Sequence, residues 1–129
     1  MSQMSDYLEN SLINHVFRNI PMSAPPSVFV GLFTSNPGDG NTGTEVNGFG
    51  YARQQLTMGM PSNGSSNNTA QLNFPVATGG SWGIITHAAV FDAASGGNML
   101  VYGPLSASKQ IDDGDQFIFK TNQFVVNFM

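Results

Sequence analysis

The chain contains no cysteine. That excludes disulfide scaffolds, thiol catalysis and cysteine zinc sites, and leaves the redox compartment open. Charge is almost as scarce: 9 % of the 129 residues are Asp, Glu, Lys or Arg, against a norm of about 25 %. The four cations, Arg18, Arg53, Lys109 and Lys120, and a formal net charge of -4 cannot build a groove that tracks phosphates, so nucleic-acid binding is excluded. No apolar run approaches the roughly 18 residues of a membrane span. Met1 to Tyr7 is polar without a basic n-region and does not read as a secretory signal. Without one, the sequons at Asn63 and Asn67 carry no weight.

What is present is apolar and punctuated. Hydrophobic residues make up 40 % of the chain, with 10 Phe, and 15 Gly and 7 Pro break it into segments. Disordered chains are poor in aromatics and rich in net charge, so this one folds, as a single domain by its length. The first segment is helical. Ser5 caps it, Asp6 and Glu9 sit in the first turn, Arg18 in the last, and Pro21 stops it. Leu8, Leu12, Val16 and Ile20, with Ile13 and Phe17 beside them, form an apolar stripe. The proline-rich stretch 21–26 is a stiff connector, giving an N-terminal helix or arm over 1–20 and a single β domain over 21–129.

Beyond it the period falls to two. Strands are expected at 27–33, 51–60, 69–74 (Ala70, Leu72 and Phe74 inward), 82–91, 99–105, 116–120 and 123–129 (Phe124, Val126 and Phe128 on one face). The segment 82–91 has two apolar or small faces and belongs in the centre of a sheet, with 99–105 as its hairpin partner. A long Gly-rich loop covers 36–50, and polar turns cover 61–68, 92–98 and 112–115. The pattern is mainly β: a β-sandwich or barrel-like fold of about seven antiparallel strands with an N-terminal α-helix.

Chemistry-bearing clusters are sparse. His15 and His87 lack metal-ligand spacing, and a histidine satisfied by one hydrogen bond explains each better. Asp112, Asp113 and Asp115 around Gly114 read as a solvated hairpin turn rather than a calcium loop. Asp39, Glu45 and Asp92 lie in Gly-rich turns that favour Asp for backbone reasons, and an enzyme reading would need a carboxylate pair about 5–9.5 Å apart at a cleft. Pro37 to Gly43 is no P-loop, since no Lys follows. Trp82 at a strand start reads as core rather than as a stacking platform. No catalytic residue, metal or cofactor is expected.

A charge-poor β protein must still protect its strand edges, which soluble monomers defend with charge. Stable interfaces are poor in charge and rich in aromatics and Met; seven Met and fourteen aromatics fit an assembly protein. Two contact surfaces stand out. One is the helix face Leu8, Leu12, Val16 and Phe17. The other is the loop with Asn36, Thr44, Glu45 and Phe49, because long loops in compact domains are usually functional.

The stretches LENSLINHVFR (8–18), VGLFTSNP (30–37), GTEV (43–46), GYARQ (50–54), NFPVAT (73–78), WGIITHAAVFDAA (82–94), GGNMLVYGPL (96–105) and GDQF (114–117) carry a resemblance. In order and spacing they resemble small bacteriophage virion proteins, labelled tail fibre proteins, some members of which look like capsid decoration, or cement, proteins. The resemblance implies a non-enzymatic part of a virion, made in the host cytoplasm and assembled as a homotrimer. A chain of 129 residues without heptads is short for a whole fibre. That favours a decoration protein on the capsid surface that cross-links the major capsid protein of neighbouring capsomers. The alternative is a tail-fibre or tail-tip protein that meets other tail proteins or a host surface glycan through an aromatic such as Trp82 or Tyr102.

Overall fold

A computed structural model describes residues 3–128; the ends of the expected arm (Met1 and Ser2) and of the last expected strand (Met129) lie outside them. In chain order the elements are β1 (Gln3–Met4), α1 (Asp6–Phe17), β2 (Val28–Phe33), β3 (Gln54–Leu56), β4 (Ser65–Asn67), β5 (Leu72–Asn73), β6 (Gly83–Phe91), β7 (Met99–Ile111), β8 (Ile118–Phe119) and β9 (Val125–Asn127). The fold is mainly β with one N-terminal helix, as the alternation predicts. Five strands form an antiparallel sheet in the order β1-β7-β6-β2-β3, and two two-stranded sheets, β4-β9 and β5-β8, form a partial second layer. The result is roughly sandwich-like.

The two-faced segment takes the central place its composition requires. β6 is flanked by β2 and by β7. The β6–β7 hairpin closes through Asp92, whose Oδ1 accepts the Asn98 N–H at 2.7 Å, while Gly96 and Gly97 adopt the left-handed backbone the turn needs. β7 is longer than expected and irregular. Val90 pairs with Val101 but Phe91 pairs with Met99, so Leu100 is an extra residue and both Leu100 and Val101 reach the core. A second irregularity falls between Ile85 and His87, beside Pro104, which has no N–H to give the ladder. The phase change lets Ile85 and Ala88, three apart, pack into the same cluster.

The main core lies between the layers. Val30, Leu32, Ile85, Ala88, Val90 and Val101 of the large sheet meet Leu72, Phe74, Phe117 and Phe124 of the second layer. Aromatic edges meet faces there, with Phe74–Phe117 at 5.8 Å and Phe119–Phe124 at 5.1 Å between ring centroids. The opposite face carries its own cluster of Phe33, Ala89, Phe91, Met99 and Tyr102. Trp82 is core, with Nε1 donating to the Phe49 carbonyl at 3.0 Å.

The second layer departs most from expectation. Its strands are two or three residues long instead of five to seven, and the expected turn 61–68 contains β4. Side chains replace the missing ladders. Asn68 is fully buried; Nδ2 donates to the Ala70 and Lys120 carbonyls at 2.8 and 3.0 Å, and Oδ1 accepts the Phe124 N–H at 2.9 Å. Asn68 thus takes the inward place expected of Ala70, which is exposed. Phe128, expected inward with Phe124 and Val126, is 41 % exposed.

The helix begins as the sequence specifies: the Ser5 hydroxyl accepts the Leu8 N–H and itself donates to the Met99 carbonyl at 2.5 Å, tying the cap to the sheet. It ends at Phe17, with Asn19 left-handed and the Ile20 N–H donating to the Asn14 carbonyl. The stripe is not one buried face. Each step of four residues turns the direction by about 40°, so it spirals off the sheet. Leu8 is buried and Leu12 half-buried, but Val16 and Phe17 are exposed.

If Asn68 is the clasp of the second layer, Asn68→Ala removes the partner of the buried Phe124 N–H and of the part-buried Ala70 and Lys120 carbonyls. The expected loss is about 2–4 kcal/mol of unfolding free energy by urea titration; a loss below about 0.5 kcal/mol contradicts this role.

Candidate functional site

The strongest polar constellation sits on the Phe33/Phe91 face. Glu45, the acidic residue of the long loop, forms an isolated bridge with Phe33 across from β2. Its carboxylate accepts from Arg53 Nε and Nη2, both at 2.8 Å, in the two-pronged geometry that suits a guanidinium, and from the Tyr51 hydroxyl at 2.6 Å. Arg53 Nη1 donates to the Ala93 and Gly96 carbonyls at 2.8 Å each, and the guanidinium lies 3.6 Å from the Phe91 ring centroid. Tyr51 also accepts the Leu32 N–H at 3.0 Å. Three segments that the sequence separates (45, 51–53 and 93–96) are thereby clamped over one sheet face. Burial, then the Glu45 hydrogen bond and charge, hold the Tyr51 phenol well above its ordinary range, against weaker pulls from the Leu32 N–H and Arg53.

Elsewhere on the same side, Tyr102 donates to Asp39. Asp39, Asp6 and Glu9 lie together at the start of α1, all exposed, where the helix dipole favours carboxylates. Burial, followed by the Asp39 hydrogen bond and then the three carboxylate charges, raises the Tyr102 phenol to about 12.

The other sequence-derived candidates fall in separate places. His15 Nδ1 accepts the Met22 N–H at 3.1 Å, fixing the connector against the helix. His87 lies on β6 beside the Thr86 hydroxyl at 2.8 Å, its pKa lowered by burial. Asp112, Asp113 and Asp115 are exposed, with Asp115 accepting the Asp112 N–H and Asp113 the Gly79 N–H. Asp39, Glu45 and Asp92 each have their own local partners: Tyr102, Arg53 and Asn98. Of the contact residues, Asn36, Thr44 and Phe49 are exposed on the loop and Glu45 is half-buried in its ion pair; Val16 and Phe17 are exposed on α1, whereas Leu8 and Leu12 pack on the sheet.

Two depressions were not legible in the sequence, because each is lined from distant segments. A cleft of about 600 Å³ lies between β7 and the β8–β9 region, lined by Pro104, Lys109, Phe117, Phe119, Gln123 and Val125 among others. A second groove, of about 480 Å³, opens into the mouth of the sandwich between α1, β3 and β9. Leu8, Leu56, Met58, Leu100, Val126 and Phe128 contribute to it, and none of its lining residues is charged. Among the described residues, no helix is long and apolar enough to cross a membrane.

These features define the class: a mainly β fold with a short N-terminal helix, a partial second layer and apolar surface at the mouth of its core. A model of the family described as podophage GP4 fiber I protein gp80 matches residues 3–127. The chain belongs to that family and is a structural protein of the phage virion. No curated protein gives a significant match.

The clamp leaves no room at Gly31, where a Cβ would stand 2.8 Å from Glu45 Oε2, 3.1 Å from the Phe91 ring and 3.2 Å from the Tyr51 oxygen. Gly31→Ala is expected to lower stability by about 1–3 kcal/mol, read as a fall in the urea midpoint; an unchanged midpoint contradicts the tight closure. The raised phenols set an alkaline limit. An unfolded tyrosine ionises near pH 10 while folded Tyr102 holds its proton to about 12. The unfolded state therefore binds fewer protons in that window, and the stabilisation present below pH 10 is lost as pH rises through it. Tyrosinate absorbance from Tyr102 should appear only well above pH 10 or on unfolding; its appearance at pH 10 with near-UV dichroism intact contradicts the assignment.

Proposed function

We propose that this chain is a non-enzymatic, self-associating component of the phage fibre apparatus, assembled as a homotrimer and contacting other tail proteins. One observation carries the reading: the family described as a fibre protein covers residues 3–127, and it agrees with the apolar surface left open on α1. Four side chains on it and just past its end, Ile13, Val16, Phe17 and Ile20, are 44–79 % exposed. An exposed apolar patch of this kind marks an interaction surface on a soluble protein. The acids and histidines singled out by the sequence each serve a structural hydrogen bond: Asp39 to Tyr102, Glu45 to Arg53, Asp92 to Asn98, His15 to Met22 and His87 to Thr86.

The capsid-decoration reading is second. It is favoured by the compactness of the fold: among the described residues the longest element is β7, of 13 residues, so no element is itself a shaft. In that reading the same surfaces cross-link the major capsid protein, and many weak contacts add through multivalency.

Copy number and position on intact particles separate the two. The fibre reading expects density for this fold at the tail, in a copy number that is a small multiple of three. Hundreds of copies spread over the capsid shell contradict it and favour decoration.

A further inference from the structure

We infer that α1 of one copy docks its outward apolar face into the uncharged groove at the mouth of the sandwich of a second copy, joining copies head to tail. The inference rests on the reading that the chain self-associates and supplies the contact that does it.

The donor face follows from helix geometry. Ile13, Val16 and Phe17 stand at i, i+3 and i+4, the anchor spacing of a helix laid into a groove, and Ile20 follows just past the helix end. Phe17 points about 180° from Leu8 around the helix. Leu8 already lines the groove of its own copy, so one helix cannot seat both residues in the same groove. The outward face is left for another molecule. The groove is uncharged; on the donor, Asp6 and Glu9 lie in the first turn of α1, and Arg18, at its C-cap, turns its guanidinium back to Asn14 Oδ1 at 2.8 Å.

The acceptor has the matching size and chemistry. A cavity of about 150 Å³ holds one benzene-sized group, so the groove of about 480 Å³ has room for three such side chains. Phe128, 41 % exposed, stands at its rim, and Met60, 93 % exposed, adjoins the lining residues Gly59 and Pro61. The groove itself brings no charge to be desolvated.

Area decides whether such a contact holds. Phe17 is 79 %, Val16 63 %, Ile13 51 % and Ile20 44 % exposed. One aromatic side chain covers about 150–250 Å², so the four present on the order of 400 Å². A single helix-in-groove contact is therefore small. In a closed ring each copy gives one helix and receives one, and so buries about 800 Å², the share per partner of a standard stable interface. The contact thus favours closure over open chains.

The test is sedimentation of the full chain with two variants at exposed positions, Phe17→Asp on the helix and Phe128→Asp at the groove, each checked for wild-type circular dichroism. Wild type is expected to sediment as a closed oligomer, three copies in the reading above. Each variant alone should require at least a tenfold higher concentration to associate. The two variants mixed keep one intact contact, an intact helix facing an intact groove, so they should associate at a lower concentration than either variant alone but a higher one than wild type. Ile84→Asp, 52 % exposed elsewhere on the sheet, should leave the oligomer intact. Variants that assemble like wild type, a mixture that associates no better than either variant alone, or dissociation by Ile84→Asp as well overturns the inference while leaving self-association standing. A monomeric wild type overturns both.

Discussion

A strand that is apolar on both faces needs cover on both faces, and the rest of this molecule is arranged around that requirement. β6 carries Ile85, Ala88 and Val90 toward one side and Ala89 and Phe91 toward the other, all buried. Parallel sheets meet this need with helices. Here the described residues contain one short helix, and it packs beside β1 and β7. One face is instead covered by short strands stitched with asparagine and glutamine side chains, the other by the Gly-rich loop.

The loop serves as cover because one of the four cations is placed beneath it. Arg53 makes four hydrogen bonds to two other segments, Glu45 and 93–96, and stacks on Phe91. A buried ion pair loses hydration that its attraction regains only when geometry is good and the remaining donors are satisfied. Both conditions hold, and with its partners fixed in position the pair specifies which loop lies over which face. Scarce charge therefore has two causes. Part of the little there is holds the fold internally, and apolar surface on α1 and at the groove is kept free of it.

Patterns local in sequence were legible. The alternation at 82–91 placed a central strand, the Asp92–Asn98 turn signalled its hairpin, and Ser5 signalled the helix start. What required distant partners was not. Nothing around Asn68 announces that it replaces an apolar residue inside, since its three partners lie at Ala70, Lys120 and Phe124. The Glu45–Arg53 clamp joins residues eight apart across a loop whose path composition does not set. The stripe Leu8, Leu12, Val16 and Ile20 reads as a single face in sequence, yet a spacing of four against 3.6 residues per turn drifts about 40° per step. Half of it belongs to the fold and half to the surface. The apolar groove, lined from seven elements and the loops between them, had no signal in any one segment.

A covered sheet leaves the outward helix face, the groove and the outer loop residues Asn36, Thr44 and Phe49 as the surfaces on which a virion protein can build. That division depends on the loop being a fixed part of the fold. Amide hydrogen exchange tests it most directly. The Thr34 N–H donates to the Thr44 carbonyl and the Val46 N–H to the Leu32 carbonyl. If the clamp holds the cover in place, these amides exchange only with the global opening that releases the central strand β6, paired on both sides by β2 and β7. Exchange of Thr34 and Val46 several orders of magnitude faster than Ala88 to Val90 of β6, in the intact protein, would contradict the account.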